Sequence, residues 1–167
     1  MAVVFGVFDR LHDGHRFFLR KVQTLLTTTV AEDEDDKKKI ITVVITPDSV
    51  VDMRKGKNIN RQTQTVRCAA IEIFNGELQQ QSETVLTALI PLVPLMGDEK
   101  EGEYSVLRKK QSECLTEIIC LGYDQQALLK DLTERMNNGT LSRLPIHIID
   151  SLEPEKLHTS LLFPVIS

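Results

Sequence analysis

Residues Val3–Phe8 form an almost unbroken apolar run that leads, through a loop carrying His12 and His15, straight into a segment of helical period. The run has strand character. Beyond the loop, Phe18, Val22, Leu25 and Leu26 recur on one face of a helix. A strand that turns tightly into a helix brings backbone N–H groups together with the positive end of a helix dipole, and that geometry receives anions. Gly14 lets a ligand come close to the backbone. His12 and His15 add imidazoles that can donate hydrogen bonds to phosphate oxygens.

The same change of period recurs along the chain. Strand patterns at Ala2–Phe8, Ile40–Thr46, Glu83–Pro91, Glu117–Leu121 and Pro145–Ile149 alternate with helical ones at Gly14–Leu26, Arg61–Phe74, Tyr104–Ser112 and Gln125–Met136. Ile40–Thr46 is rich in β-branched residues, as expected of a parallel strand buried on both faces. Glu83–Pro91 fits a strand or a short helix, and the prolines that follow favour the strand. In the second helical segment Val66, Ala69, Ala70, Ile73 and Phe74 are expected inward, with Asn75-Gly76 as the stop. Leu128, Leu129, Leu132 and Met136 are the inward face of the last helix. This alternation predicts an α/β fold, an open parallel sheet with helices on both faces. The length of 167 residues fits a single domain spanning 1–167.

Composition removes several classes of function. A net charge of −4 argues against a general nucleic-acid binder, though not against a nucleotide ligand held in a local basic pocket. No apolar run is long enough to span a bilayer, and no leader pattern opens the chain, so the expected location is cytoplasmic. Cys68, Cys114 and Cys120 form no CxxC pair and read as reduced, packed thiols. The acidic run Glu32–Asp36, followed by Lys37–Lys39, reads as a solvated loop.

In an open α/β sheet the ligand lies beyond the carboxyl ends of the strands. The residues to weigh are therefore Phe8–His15, Pro47–Lys57 with its Arg54-Lys55-Gly56-Lys57 run, Gly122-Tyr123-Asp124-Gln125, and His158-Thr159-Ser160. Plainer roles compete with ligand contact. Arg54, Lys55 and Lys57 could form a solvated basic turn, Asp124 could cap the following helix, and Arg67 could be a surface residue. His147 reads as a packed strand residue. Residues 53–60 have few apolar neighbours in sequence, so they are expected to lack local anchors and to act as a lid.

His12-Asp13-Gly14-His15 resembles the HxGH signature of the cytidylyltransferase-like nucleotidyltransferases, and Gly6-Val7-Phe8-Asp9 resembles the G-T-F-D that ends their first strand. Leu121-Gly122-Tyr123-Asp124-Gln125 looks like the LGYDQ segment of their small flavin-type adenylyltransferases. Lys55-Gly56-Lys57 with Arg67 is similar to the family's K-G-x stretch and the arginine on its next helix. Thr159-Ser160 stands where the family has a serine/threonine-rich motif. Val7 replaces the usual threonine, whose hydroxyl often holds the acceptor's phosphate. After Ser160 come Leu161-Leu162-Phe163-Pro164, where the family has a basic residue and a further helix.

The resemblance implies a Rossmann-like fold and transfer of an AMP or CMP group from ATP or CTP to a phosphorylated small molecule, with release of pyrophosphate. FMN is the foremost acceptor; phosphopantetheine and glycerol phosphate are the alternatives. A nucleotide-binding sensor without catalysis is the rival of another class. The implied catalytic residues are His12, His15, Lys55 and Lys57. The implied nucleotide and acceptor contacts are Gly6, Val7, Phe8, Asp9, Gly14, Arg67, Gly122, Tyr123, Asp124, Gln125, His158, Thr159 and Ser160. Mg²⁺ is expected with the triphosphate, held mostly by phosphate oxygens and water. No nucleic-acid or membrane partner is expected, and a homodimer is left open.

Overall fold

A computed structural model describes residues 1–29, 39–91, 99–108 and 118–150. In chain order the elements are β1 (Ala2–Gly6), α1 (Asp13–Thr29), β2 (Ile40–Ile45), α2 (Asp48–Lys55), α3 (Gln64–Gln79), β3 (Val85–Leu89), α4 (Glu99–Arg108), β4 (Ile118–Gly122), α5 (Gln126–Asn137) and β5 (Ile146–Ile149). The five strands form one sheet in the order β3-β2-β1-β4-β5, and every pairing is parallel. The expected α/β architecture is what the chain adopts, and its sheet is of Rossmann-like type.

Strand alternation splits the core into two layers. Ala2 and Val4 of β1, Ile118 and Cys120 of β4, and Ile41, Val43 and Ile45 of β2 face one layer, with Leu19, Val22, Leu26, Ile71, Phe74 and Leu78 packed against them. Val3 and Phe5, Ile119 and Leu121, and Val44 face the other layer, with Tyr104, Leu107 and Leu132. A strand buried on both faces cannot alternate apolar with polar residues, hence the near-continuous apolar runs of β1, β2 and β4.

The sheet order reverses direction at β1, and its two neighbours pair with it to different depths. With β2 the register runs from Ala2↔Ile41 to Gly6↔Ile45. With β4 it ends at Val4↔Cys120. Past that point the strands part, and Gln125 fills the gap. Its Nε2 donates to the Phe5 carbonyl at 2.7 Å, and its Oε1 accepts from the Gly122 N–H at 2.8 Å. A side-chain amide thus replaces a rung of the ladder at the switch point, where an open α/β sheet has its crevice.

Three expectations need correction. The Pro47–Lys57 stretch is largely helical: Val50 and Val51 are buried, and Gly56, at φ 76°, ends α2 with its N–H on the Asp52 carbonyl at 2.8 Å. Pro before Asp at the start and Gly at the end are the sequence signals of such a helix. Helix α3 does not stop at Asn75-Gly76 but continues to Gln79, because Leu78 is buried in the core and the Asn75 side chain accepts from the Leu86 N–H at 2.8 Å. The inward face of α3 is also different. Arg67, Ile71, Phe74 and Leu78 are buried, whereas Val66 and Ile73 are exposed. An arginine heads the buried stripe, and that inverts the apparent phase of the helix.

The segment 53–60 is also not without anchors. Arg54 pairs with Glu103 at 3.0 Å. Arg61 pairs with Asp52 at 2.8 Å and donates to the Gly56 carbonyl at 3.2 Å. Arg10 reaches the Asn60 carbonyl at 3.0 Å.

Candidate functional site

The loop between β1 and α1 is built on two left-handed residues, Phe8 at φ 52° and Arg10 at φ 47°. Non-glycine residues seldom adopt this conformation, so surrounding contacts must hold it. Phe8 is held by packing. Its ring is buried against Gly6, where an added Cβ would lie 2.8 Å from Cε2. The same ring lies 5.2 Å from the imidazole of His15.

His12 caps α1. Its carbonyl accepts the Arg16 N–H at 3.1 Å, and its ring Nδ1 accepts the Gly14 N–H at 3.1 Å. That ring folds so closely over the helix start that a Cβ at residue 14 would come within 3.0 Å of His12 Cε1. His15 sits one turn further on. Its Nδ1 faces the His12 N–H at a long 3.5 Å, and the two rings stack at 3.8 Å between centroids. Each Nδ1 therefore faces a backbone donor. In the neutral ring the proton then resides on Nε2, the one atom of each imidazole left to donate elsewhere. Burial is the main reason that His15 is pushed down from 6.5 to about 4. The neighbouring His12 lowers it further, while the Asp124 and Asp9 carboxylates oppose the shift. At neutral pH His15 is thus an uncharged donor.

The electrostatic influence of Asp124 on His15 joins the β4–α5 loop to the histidine loop. Asp124 does not cap α5. The capping position is Gln125, without a side-chain cap bond, because its amide is spent on Phe5 and Gly122. Asp124 and Tyr123 are exposed on this rim.

Arg67 occupies a different place from an exposed ligand contact. Its side chain is fully buried behind the loop, donating to the carbonyls of Val7 (2.7 Å), Thr46 (2.9 Å) and Gln62 (3.2 Å) and to the Asp48 carboxylate (2.6 Å). It ties the ends of β1 and β2 to the starts of α2 and α3. Burial alone would raise the pKa of Asp48, but the Gln64 N–H and the Arg67 guanidinium outweigh it and hold the carboxyl below its usual range.

Lys55 lies in the last turn of α2 and Lys57 just after it, both exposed. Val7 is half-buried, and Asp9 accepts the Gln62 N–H at 2.9 Å. His158, Thr159 and Ser160 lie outside the described residues, as does Cys114. Cys68 and Cys120 are free thiols. Burial raises both, Cys120 to about 12. His147 pairs with Cys120 across β4 and β5 and is half-buried. Among the described residues no helix is long and apolar enough to cross a membrane, and no three His, Cys, Asp or Glu side chains group as a metal site.

Sequence reasoning missed Asp48, Asn60, Arg61, Gln62 and Gln64. Asp48 was visible as an acid following Pro47 at the end of β2. Asn60 and Gln62 carry no local signal, because their partners lie some fifty residues away, and the Arg61–Asp52 and Gln64–Asp48 pairs, nine and sixteen residues apart, match no helical spacing.

An α/β open-sheet protein with a histidine-bearing loop at its switch point is the class these features define. Solved structures share the fold. The lipopolysaccharide core biosynthesis protein from Thermoplasma volcanium GSS1 is 22% identical, with a TM-score of 0.56 over 91% of this chain and 97% of that one. A protein with unknown function from Archaeoglobus fulgidus is 14% identical, with a TM-score of 0.57 over 89% of this chain and 88% of that one. At these identities the likeness is one of fold. No family model and no curated protein matches the chain.

Proposed function

We propose that the protein transfers a nucleotidyl group from a nucleoside triphosphate to a phosphorylated small molecule. The observation that carries this reading is the stacked His12–His15 pair, with both Nδ1 atoms turned to backbone donors at the mouth of the β1–β4 crevice. Such a pair supplies adjacent Nε2–H donors to oxygens of one phosphate.

An oxygen of the acceptor phosphate attacks the α-phosphorus and forms a P–O bond, while the bond from that phosphorus to the bridging oxygen breaks and pyrophosphate leaves with the electron pair. The attacking group is already anionic and needs no strong base. The work left to the protein is alignment, and stabilisation of charge on the α-phosphate and the departing bridge oxygen. His12 and His15 donate to those oxygens. Lys55 and Lys57, both exposed, would supply positive charge to the departing pyrophosphate. Mg²⁺, carried by triphosphate oxygens and water, would neutralise phosphate charge. Gly6, Val7, Phe8, Asp9 and Gly14 shape the cradle, and Arg67 acts from behind it. Gly122, Tyr123, Asp124 and Gln125 form the opposite lip, where the adenine or cytosine moiety would lie. Their resemblance to the flavin-type segment favours FMN as acceptor and ATP as donor. His158, Thr159 and Ser160 are assigned to the triphosphate on the resemblance alone.

The test is a screen of ATP and CTP against FMN, phosphopantetheine and glycerol phosphate, read by pyrophosphate release. Release with one acceptor, abolished by replacing both histidines, supports the reading. Tight nucleotide binding without release across the matrix favours the sensor.

A further inference from the structure

We propose that Gln62 is the positioning residue of the histidine loop, holding residues 8–10 in the left-handed turn that aims His12 and His15. Gln62 touches the loop through two separate groups. Its backbone N–H donates to Asp9 Oδ1 at 2.9 Å, and its side-chain Oε1 accepts the Arg10 N–H at 2.8 Å. Its carbonyl accepts from Arg67 Nε at 3.2 Å, so the clamp is itself fixed to the buried guanidinium. Asn60, two residues earlier, takes the Arg10 side chain at 3.0 Å.

These contacts bear on the residues that need holding. Phe8 and Arg10 have positive φ, and Asp9 lies between them. Local interactions favour neither angle, and partners some fifty residues away in the chain supply the restraint. Restraint then passes inward by contact. The turn sets Phe8, the Phe8 ring meets His15, and His15 stacks on His12. A reciprocal pair of the same kind, Asp48 N–H to Gln64 Oε1 and Gln64 N–H to Asp48 Oδ2, locks the next loop at 3.0 and 2.9 Å. Of these two sets of contacts, the one made by Gln62 reaches the histidine loop.

The inference rests on the proposed activity only for its kinetic consequence, so the experiment has an arm independent of activity. In the full chain, Gln62→Met keeps the shape of the side chain and removes its acceptor, whereas Gln62→Glu keeps an acceptor oxygen. Two NMR readouts report on the loop: the ring-to-ring NOE between His12 and His15, and the titration of the His15 ring, which Asp9, Asp124 and His12 face. Gln62→Met should lose the NOE, and its His15 midpoint should rise from about 4 towards 6.5, while unfolding stays cooperative. Gln62→Glu should keep the NOE. Gln62→Asn, a milder change, is read in the same way should Gln62→Met fail to fold. With the productive acceptor, Gln62→Met should lower kcat by roughly 10–100-fold at nearly constant nucleotide KM, as expected when reacting groups are misplaced by about an ångström. An unchanged NOE and midpoint in Gln62→Met and Gln62→Asn overturn the proposal. Altered NMR behaviour in a protein that releases pyrophosphate with no acceptor leaves Gln62 as the positioning residue and removes the assigned reaction.

Discussion

The guanidinium of Arg67 donates to the carbonyl oxygen of Val7 across 2.7 Å, from a fully buried position in the first turn of α3. The same group holds Thr46, Gln62 and Asp48, so one side chain fixes the ends of β1 and β2 relative to the helices that follow. Removing it strands buried carbonyls and a carboxylate together. Arg67→Ala is therefore expected to cost about 3–5 kcal/mol of folding free energy, measured by urea denaturation. Arg67→Lys should recover only part of that loss, because one ammonium cannot reproduce a planar fork aimed at several acceptors. Full stability in Arg67→Lys would show that charge alone matters there.

Acid should weaken the fold through His15. The unfolded chain holds the His15 proton up to about pH 6.5, whereas the folded chain takes it up only near pH 4. Between those values the unfolded state binds more protons, so stability is complete above the window and declines as pH falls through it. Protonation would also set an Nδ1–H against the His12 N–H that faces it. The difference in melting temperature between the parent and His15→Gln should narrow as pH falls from 6.5 towards 4. A constant difference would assign the loss to other groups.

The sheet was legible because strands buried on both faces are nearly all apolar, as β1, β2 and β4 are, with Thr42 the one polar side chain among them. The histidine loop was legible because its chemistry is local: strand, turn and helix start lie within a few residues. The buried ties of Arg67 and the clamp made by Gln62 were not, for one shared reason. Each acts through hydrogen bonds to residues distant in the chain, and sequence spacing carries no record of such partners. A buried arginine also misleads a pattern search, which seeks apolar side chains on the inner face. In α3 it shifted the expected face onto Val66 and Ile73, which are exposed.

The paired histidines should affect turnover more than binding. In the proposed reaction their Nε2–H groups meet charge that grows as the α-phosphate is attacked, and loss of one such donor typically lowers the rate by ~10²–10³. His12→Ala and His15→Ala should each slow pyrophosphate release to that extent and change nucleotide affinity far less. His12→Ala also removes the cap on the Gly14 N–H, so it should be the less stable of the two, by about 1 kcal/mol. Parallel loss of binding and turnover would make both rings ground-state contacts.

Val7 should set acceptor choice, leaving nucleotide chemistry in place. Its carbonyl is fixed by Arg67 and its side chain is half-buried, so Val7→Thr changes one methyl to hydroxyl on a backbone held in place. The nucleotide contacts proposed for His12 and His15 arise from the other end of the loop and should not move. A new hydroxyl facing an anionic phosphate contributes on the order of 1 kcal/mol, roughly fivefold in affinity. Left without a partner in a partly buried site, it costs a similar amount. Val7→Thr should therefore shift the ranking of FMN, phosphopantetheine and glycerol phosphate in the pyrophosphate assay, at constant nucleotide KM. An unaltered ranking would place the acceptor phosphate away from residue 7.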